Sequence, residues 1–160
     1  LLPGKRISAY GFIALVLAEM LVARARDRRR YCPRDTLTSL ALGFGSTVAG
    51  ALSGAAVFAP AAWVHQFRLV EIGHVWWAWA LCFVLDDLAY YAFHRSAHRV
   101  RWFWASHVIH HSSQHYNLST ALRQTWTGFL SANFAFRLPL FLLGFPPAMV
   151  FFCAGLNLIY

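Results

Sequence analysis

The sequence predicts an all-α fold, a polytopic transmembrane helical bundle with a cytoplasmic helical cap rich in histidine, and three observations predict it. The composition is 59% hydrophobic with only 12% charged residues, unlike a soluble domain of this size. Long apolar runs recur along the whole chain, so the mean hydropathy of +0.48 does not come from one tail. The positive charge gathers in two clusters, Arg24 to Arg34 and Arg95 to Arg101, each beside an apolar run. There Lys and Arg orient membrane segments and meet anionic headgroups. That placement, not nucleic-acid binding, is the reading of fourteen Lys and Arg against six acidic residues.

Residues 1–93 form the predicted N-terminal membrane part. The first span, about 7–23, is continuous apart from Glu19 and runs straight into the first basic cluster. A cleaved signal peptide would carry its positive charge before the apolar stretch. The second span, about 37–64, is rich in Gly, Ala and Ser, and Gly43, Gly45, Gly50 and Gly54 are expected to let membrane helices approach closely. Trp63, His65, Trp76 and Trp77 frame a short interfacial connection around Arg68 and Glu71. The third span, about 74–93, leads into the second basic cluster. Two crossings separate the clusters, so both fall on the same, cytoplasmic, face.

Residues 94–125 are the expected cytoplasmic cap. Apolar character returns from Trp126 to Phe145, breaks at Gly144-Phe-Pro-Pro147 and resumes, which predicts a transmembrane helical hairpin over 126–160. The chain starts at Leu1 and stops at Tyr160 inside an apolar run, which implies truncation at both ends. Cys32, Cys82 and Cys153 are odd in number and widely spaced, so they are expected to pack and not to form a disulfide framework or a thiolate zinc site.

Six of the eight histidines lie between positions 94 and 115. His94 and His98 are four apart. His107 is three and four from His110 and His111, so each group can share a helix face and one metal. Lone His65, His74 and His115 read as core or interface residues. Clustered imidazoles beside a bilayer are costly unless they bind something or pair. Imidazole suits Zn, Cu, Fe and Ni alike, but five such ligands exceed one tetrahedral site, so two metals are the economical reading. Upstream, Asp87, Tyr91, His94 and His98 line one helical stripe, whereas Asp86 points elsewhere. Asp87 is therefore placed to orient a ligand imidazole or to ligate directly, or else to pair with Arg95 or Arg99.

The segment Asp87-Leu-Ala-Tyr-Tyr-Ala-Phe-His94-Arg-Ser-Ala-His98, followed by Trp104-Ala-Ser-His107-Val-Ile-His110-His111-Ser-Ser, resembles the first two boxes of the fatty acid hydroxylase and sterol desaturase superfamily. Its pattern is HxxxH, HxxHH and a later HxxHH, which this chain ends before reaching. The continuation Ser112-Ser-Gln-His-Tyr116-Asn-Leu-Ser-Thr-Ala-Leu-Arg-Gln124 is most similar to the alkylglycerol monooxygenase-like bacterial sterol desaturase branch. Arg99 stands where the ether-lipid enzyme is expected to carry an acidic residue, so the lipid stays open.

The resemblance implies that His94, His98, His107, His110 and His111 hold two non-haem iron ions. It implies a membrane-bound oxygenase that hydroxylates or desaturates a fatty acyl, sterol or ether lipid with O2. Electrons would come from a b-type cytochrome, a ferredoxin or tetrahydrobiopterin. It also suggests that residues 112–124 line the site or the lipid's access. Read alone, Ser112 and Ser113 could cap a helix, Asn117 could satisfy a turn, and Arg123 and Gln124 could be solvated. Asn117-Leu-Ser119 is a glycosylation acceptor whose expected cytoplasmic place argues against use.

Two other classes fit less well. A metal-transporting or non-catalytic metal-binding membrane protein could line an ion path with its histidines, but transporter sites usually sit near mid-membrane, often within repeats. Here the boxes follow a span beside arginines, and no repeat is visible. A zinc hydrolase would need a general base, and no glutamate lies between His94 and Tyr160. Five imidazoles are few for two irons, so this stretch by itself is expected not to retain a stable centre or activity.

Overall fold

The computed structural model describes residues 3–26 and 31–157; residues 27–30 of the first basic cluster and the last three of the chain lie outside the described residues. The order is α1 (Pro3–Arg26), α2 (Pro33–His65), α3 (Trp76–Ala97) and α4 (Arg101–His107). Short 3-10 turns follow at Leu118–Leu122, Gly128–Ser131 and Asn133–Arg137, then α5 (Leu138–Leu143) and α6 (Pro147–Asn157). Among the described residues there is no strand. One helix among the described residues, α2, is long and apolar enough to cross a membrane; α6 and the stretch Asn133–Leu143 are shorter apolar segments.

Local chemistry explains these bounds. Pro33 opens α2 where a missing N–H costs nothing, and Asp35 lies in its first turn at the positive end of the helix dipole. Inside α2, the Ser46 and Thr47 hydroxyls donate to the Gly43 carbonyl and Ser53 to that of Ala49, so these three hydroxyls are satisfied without water. The apolar stretch after Trp126 folds as two 3-10 turns and α5, not as one helix. Ala132 interrupts it at φ 52°, a left-handed conformation few alanines adopt. Gly144 ends α5 at φ 106°, and Pro147 opens α6.

The chain divides into two compact units. The first comprises residues 1–48 and 107–126. Glu19, the charge inside the first apolar run, accepts from the Tyr31 hydroxyl at 2.5 Å and the Leu118 N–H at 2.8 Å. The predicted role of the glycines changes here. A Cβ on Gly43 would lie 2.8 Å from the Leu122 carbonyl oxygen, and one on Gly45 would run into the Trp126 ring. That indole donates to the Leu42 carbonyl. These two glycines admit the polar segment after the histidines and not another membrane helix, while Gly50 and Gly54 face open space.

The second unit comprises residues 49–106 and 127–160. Buried positions 78, 82, 86, 89, 93 and 97 form one stripe of α3 at three- and four-residue spacing. Ala78, Cys82 and Ala89 pack in one core with Leu140, Phe141, Phe145, Met149, Val150 and Cys153. Each large side chain buried there contributes about 1.5–3 kcal/mol. Asp86 shares that stripe and is fully buried. It accepts from Arg137 Nε at 2.6 Å and Asn157 Nδ2 at 2.7 Å, and Arg137 Nη1 donates to Asn133 Oδ1 at 2.8 Å.

Candidate metal centre

Helical spacing dictates the first pair. His94 on α3 and His98 at its C-terminal cap are one turn apart, and their Nε2 atoms lie 3.1 Å apart. Behind them Phe93 is buried in the same turn, and its ring packs edge-on against Phe136 at 5.6 Å and against Phe103 at 6.1 Å. The Tyr90 ring sits 5.7 Å from His94, and the Trp104 ring 5.6 Å from His98. The histidine face of α3 is therefore braced from inside and flanked by aromatics.

The second group belongs to the first unit. His107 ends α4, and the chain continues in turns in which His110 N–H donates to the His107 carbonyl and His111 N–H to that of Val108. His107 Nε2 and His111 Nε2 also lie 3.1 Å apart. The three rings of this box stand 4.9 to 5.7 Å from one another. His110 is held differently, with Nδ1 3.2 Å from the Arg123 carbonyl oxygen.

These separations suit a metal. Metal–imidazole bonds of about 2.1 Å at a right angle put two ligand nitrogens about 3 Å apart. Both pairs have that bite through Nε2, and within each pair one ring is half-buried and the other exposed. Neutral imidazoles bring no charge to desolvate and leave Nδ1 for a second partner.

Asp87 is exposed on α3, on the same face as exposed Tyr91 and the two histidines. Tyr91 accepts from Arg95 Nη1 at 3.0 Å. The adjacent Asp86 turns inward to Arg137.

After the second box, Gln124 is exposed as its composition allowed, but Arg123 is not. Arg123 is 3% exposed and forms an ion pair of 2.7 Å with Asp35. Ser113 donates to the other Asp35 oxygen at 2.6 Å, so it is not a helix cap. Asn117 caps the Leu118–Leu122 turn, accepting from the Ser119 N–H and hydroxyl and donating to the His115 carbonyl. An acceptor amide so engaged, at 6% exposure, is not presented for glycosylation.

Paired imidazoles at a chelating bite could hold a metal ion, in an all-helical chain with one described helix long and apolar enough to cross a membrane. The fatty acid hydroxylase family model matches residues 79–160, more than half of the chain, and the chain belongs to that family. It is similar to the alkylglycerol monooxygenase of Danio rerio, 36% identical over 154 residues that cover 93% of this chain and 34% of the relative. The Xenopus tropicalis enzyme of that name is 40% identical over 126 residues, covering 76% and 28%. The human one is 34% identical over 165 residues, covering 93% and 34%. The chain thus spans about a third or less of these relatives' lengths. No solved structure matches it.

Proposed function

We propose that this chain carries two of the histidine boxes of a membrane-bound di-iron monooxygenase that oxidises a lipid, with an ether lipid of the alkylglycerol kind as substrate class. The observation that carries the reading is the pair of 3.1 Å Nε2–Nε2 bites in a chain of the fatty acid hydroxylase family. The similarity to alkylglycerol monooxygenases supports the substrate class.

His94, His98, His107, His110 and His111 would hold the metal. Bound iron would supply O2 activation and oxidation of an unactivated C–H bond, which no side chain can perform. His94, His98, His107 and His111 already bring their Nε2 atoms to a chelating separation by their helical or turn spacing, so binding does not require ordering them anew. Asp87, on the same face of α3 as His94 and His98, orients a ligand ring or adds an oxygen ligand. Inserting one oxygen atom into a C–H bond sends the other to water, so two electrons and two protons come from a donor. That donor is a b-type cytochrome, a ferredoxin or tetrahydrobiopterin. The protein is multi-pass, with α2 as one span, the boxes on the cytoplasmic face and the lipid reaching them from the bilayer.

The test is iron content and O2 uptake of the full-length protein in lipid nanodiscs, compared with the double variants His94→Ala/His98→Ala and His107→Ala/His111→Ala. Each variant is expected to lose at least half of the bound iron and all lipid-dependent O2 uptake. Wild-type iron content in either variant refutes the assignment. Metal binding without lipid-dependent O2 uptake by the wild type points to a metal-binding or metal-transporting membrane protein.

A further inference from the structure

We infer that Arg123 is a positioning residue for the second histidine box, acting through His110; the inference rests on the metal reading above. His110 Nδ1 lies 3.2 Å from the carbonyl oxygen of Arg123. A carbonyl only accepts, so Nδ1 carries the hydrogen and the ring's lone pair is left on Nε2. That is the tautomer a metal-binding imidazole needs when its other nitrogen is anchored. Nε2 is therefore the nitrogen His110 would offer a metal, and its ring orientation is set by where the Arg123 carbonyl stands.

The backbone alone does little to fix that carbonyl. Arg123 is the residue that ends the Leu118–Leu122 turn, at φ −75° and ψ 82°, outside any repeating structure. Its side chain does the fixing. The guanidinium is buried and donates four hydrogen bonds: Nη2 to Asp35 Oδ1 at 2.7 Å and to the Asp35 carbonyl at 3.0 Å, Nε to Ser39 Oγ at 3.2 Å, and Nη1 to Ser112 Oγ at 3.0 Å. Ser113 closes the cage by donating to Asp35 Oδ2. Asp35 and Ser39 belong to the first two turns of α2, and Ser112 directly follows His111. One planar fork with a fixed donor geometry thus ties the box, the carbonyl that orients His110 and the start of α2 into one piece.

A residue that only held the fold would also be buried and paired. What separates the two roles is whether Arg123 affects metal affinity through His110. The experiment is a double-mutant cycle on the full-length protein in nanodiscs, with Arg123→Gln, His110→Ala and both. Iron affinity is read by chelator competition, and integrity by melting of the metal-free protein. Arg123→Gln is expected to weaken iron binding about tenfold to a hundredfold. In the His110→Ala background it should weaken binding by less than about threefold. An equal loss in both backgrounds, or no loss in either, overturns the inference while leaving the metal reading intact. A wild type that binds no iron overturns both. If Arg123→Gln does not fold, the same cycle with Ser112→Ala, which removes one acceptor of the same guanidinium, is read by the same two outcomes.

Discussion

Replacing Asp86 by leucine removes the one carboxylate in the core of the second unit while roughly keeping volume. The buried Arg137 guanidinium would then keep Asn133 as a partner but lose its counter-charge, and the Asn157 amide would lose the Asp86 acceptor. Removing one member of a buried ion pair costs about 3–5 kcal/mol, because the remaining charge stays desolvated. At roughly 2–4 °C per kcal/mol for a chain of this size, the melting temperature should fall by about 6–20 °C. Cys82 and Cys153 supply the assay, since both are fully buried core thiols in the same unit. In a Cys32→Ser background, a thiol-reactive coumarin maleimide in detergent micelles becomes fluorescent only as that core opens. Adding Arg137→Met should restore most of the loss, since an apolar pair of similar volume carries no unmatched charge. A fall below about 3 °C, or a double variant as labile as the single one, would refute the reasoning.

Other substitutions bear on the backbone and on the Tyr31 contact. Gly144→Ala combines φ 106° with a Cβ driven into the Val70 carbonyl oxygen, so it should destabilise by about 2 kcal/mol or more. Ala132→Gly should be neutral or stabilising by up to about 1 kcal/mol, because φ 52° is strained for alanine; the same melt giving the reverse order would contradict both assignments. Gly43→Ala should destabilise, since its Cβ meets a backbone oxygen, whereas Gly50→Ala should stabilise by up to about 1 kcal/mol from helix propensity. Equal melting temperatures for the two would remove the close approach as an explanation. Partial burial, then the hydrogen bond to Glu19 and its charge, push the Tyr31 phenol above its ordinary range. Because the folded-state value is the raised one, this contribution is complete below about pH 10 and is lost as pH rises through the higher folded value. The phenolate difference spectrum between wild type and Tyr31→Phe should therefore emerge only above about pH 10; emergence at or below it would refute the Glu19 contact.

The histidine boxes were legible because their geometry is local. Four-residue spacing on α3 gives the His94–His98 bite directly, and the turns after His107 reproduce it for His111. The neighbouring carboxylates show where locality ends. Periodicity correctly separated Asp86 from the histidine face, but its partner Arg137 lies 51 residues away on another element. Arg123 was open to a solvated reading for the same reason, its counter-ion Asp35 being 88 residues distant. Small residues in α2 looked like a surface for another membrane helix, yet Gly43 and Gly45 receive Leu122 and Trp126. The apolar run up to Phe145 suggested one helix, and composition carries no trace of the left-handed Ala132 that breaks it. The clearest missed signal was Arg137 itself, a lone charge inside an apolar stretch, which predicts a buried acidic partner.

The length of α2 has a consequence for the oxygenase proposed above. Its 33 residues rise about 50 Å, while the hydrocarbon layer is about 30 Å thick. A helix this long tilts steeply or stands proud of the lipid by several turns. Its Pro33 end, with Arg34 and Asp35, is the end suited to water. On the function proposed above, the apolar length of α2 would lie in the bilayer, with Asp35 and Ser39 in its first two turns. The second histidine box, through Arg123, is guyed to those turns. In that reading the register of one helix would set the height of the box above the lipid surface. Lengthening or shortening α2 by a turn would lift or lower the box by about 5 Å, and with it the carbon along a lipid chain that comes within reach.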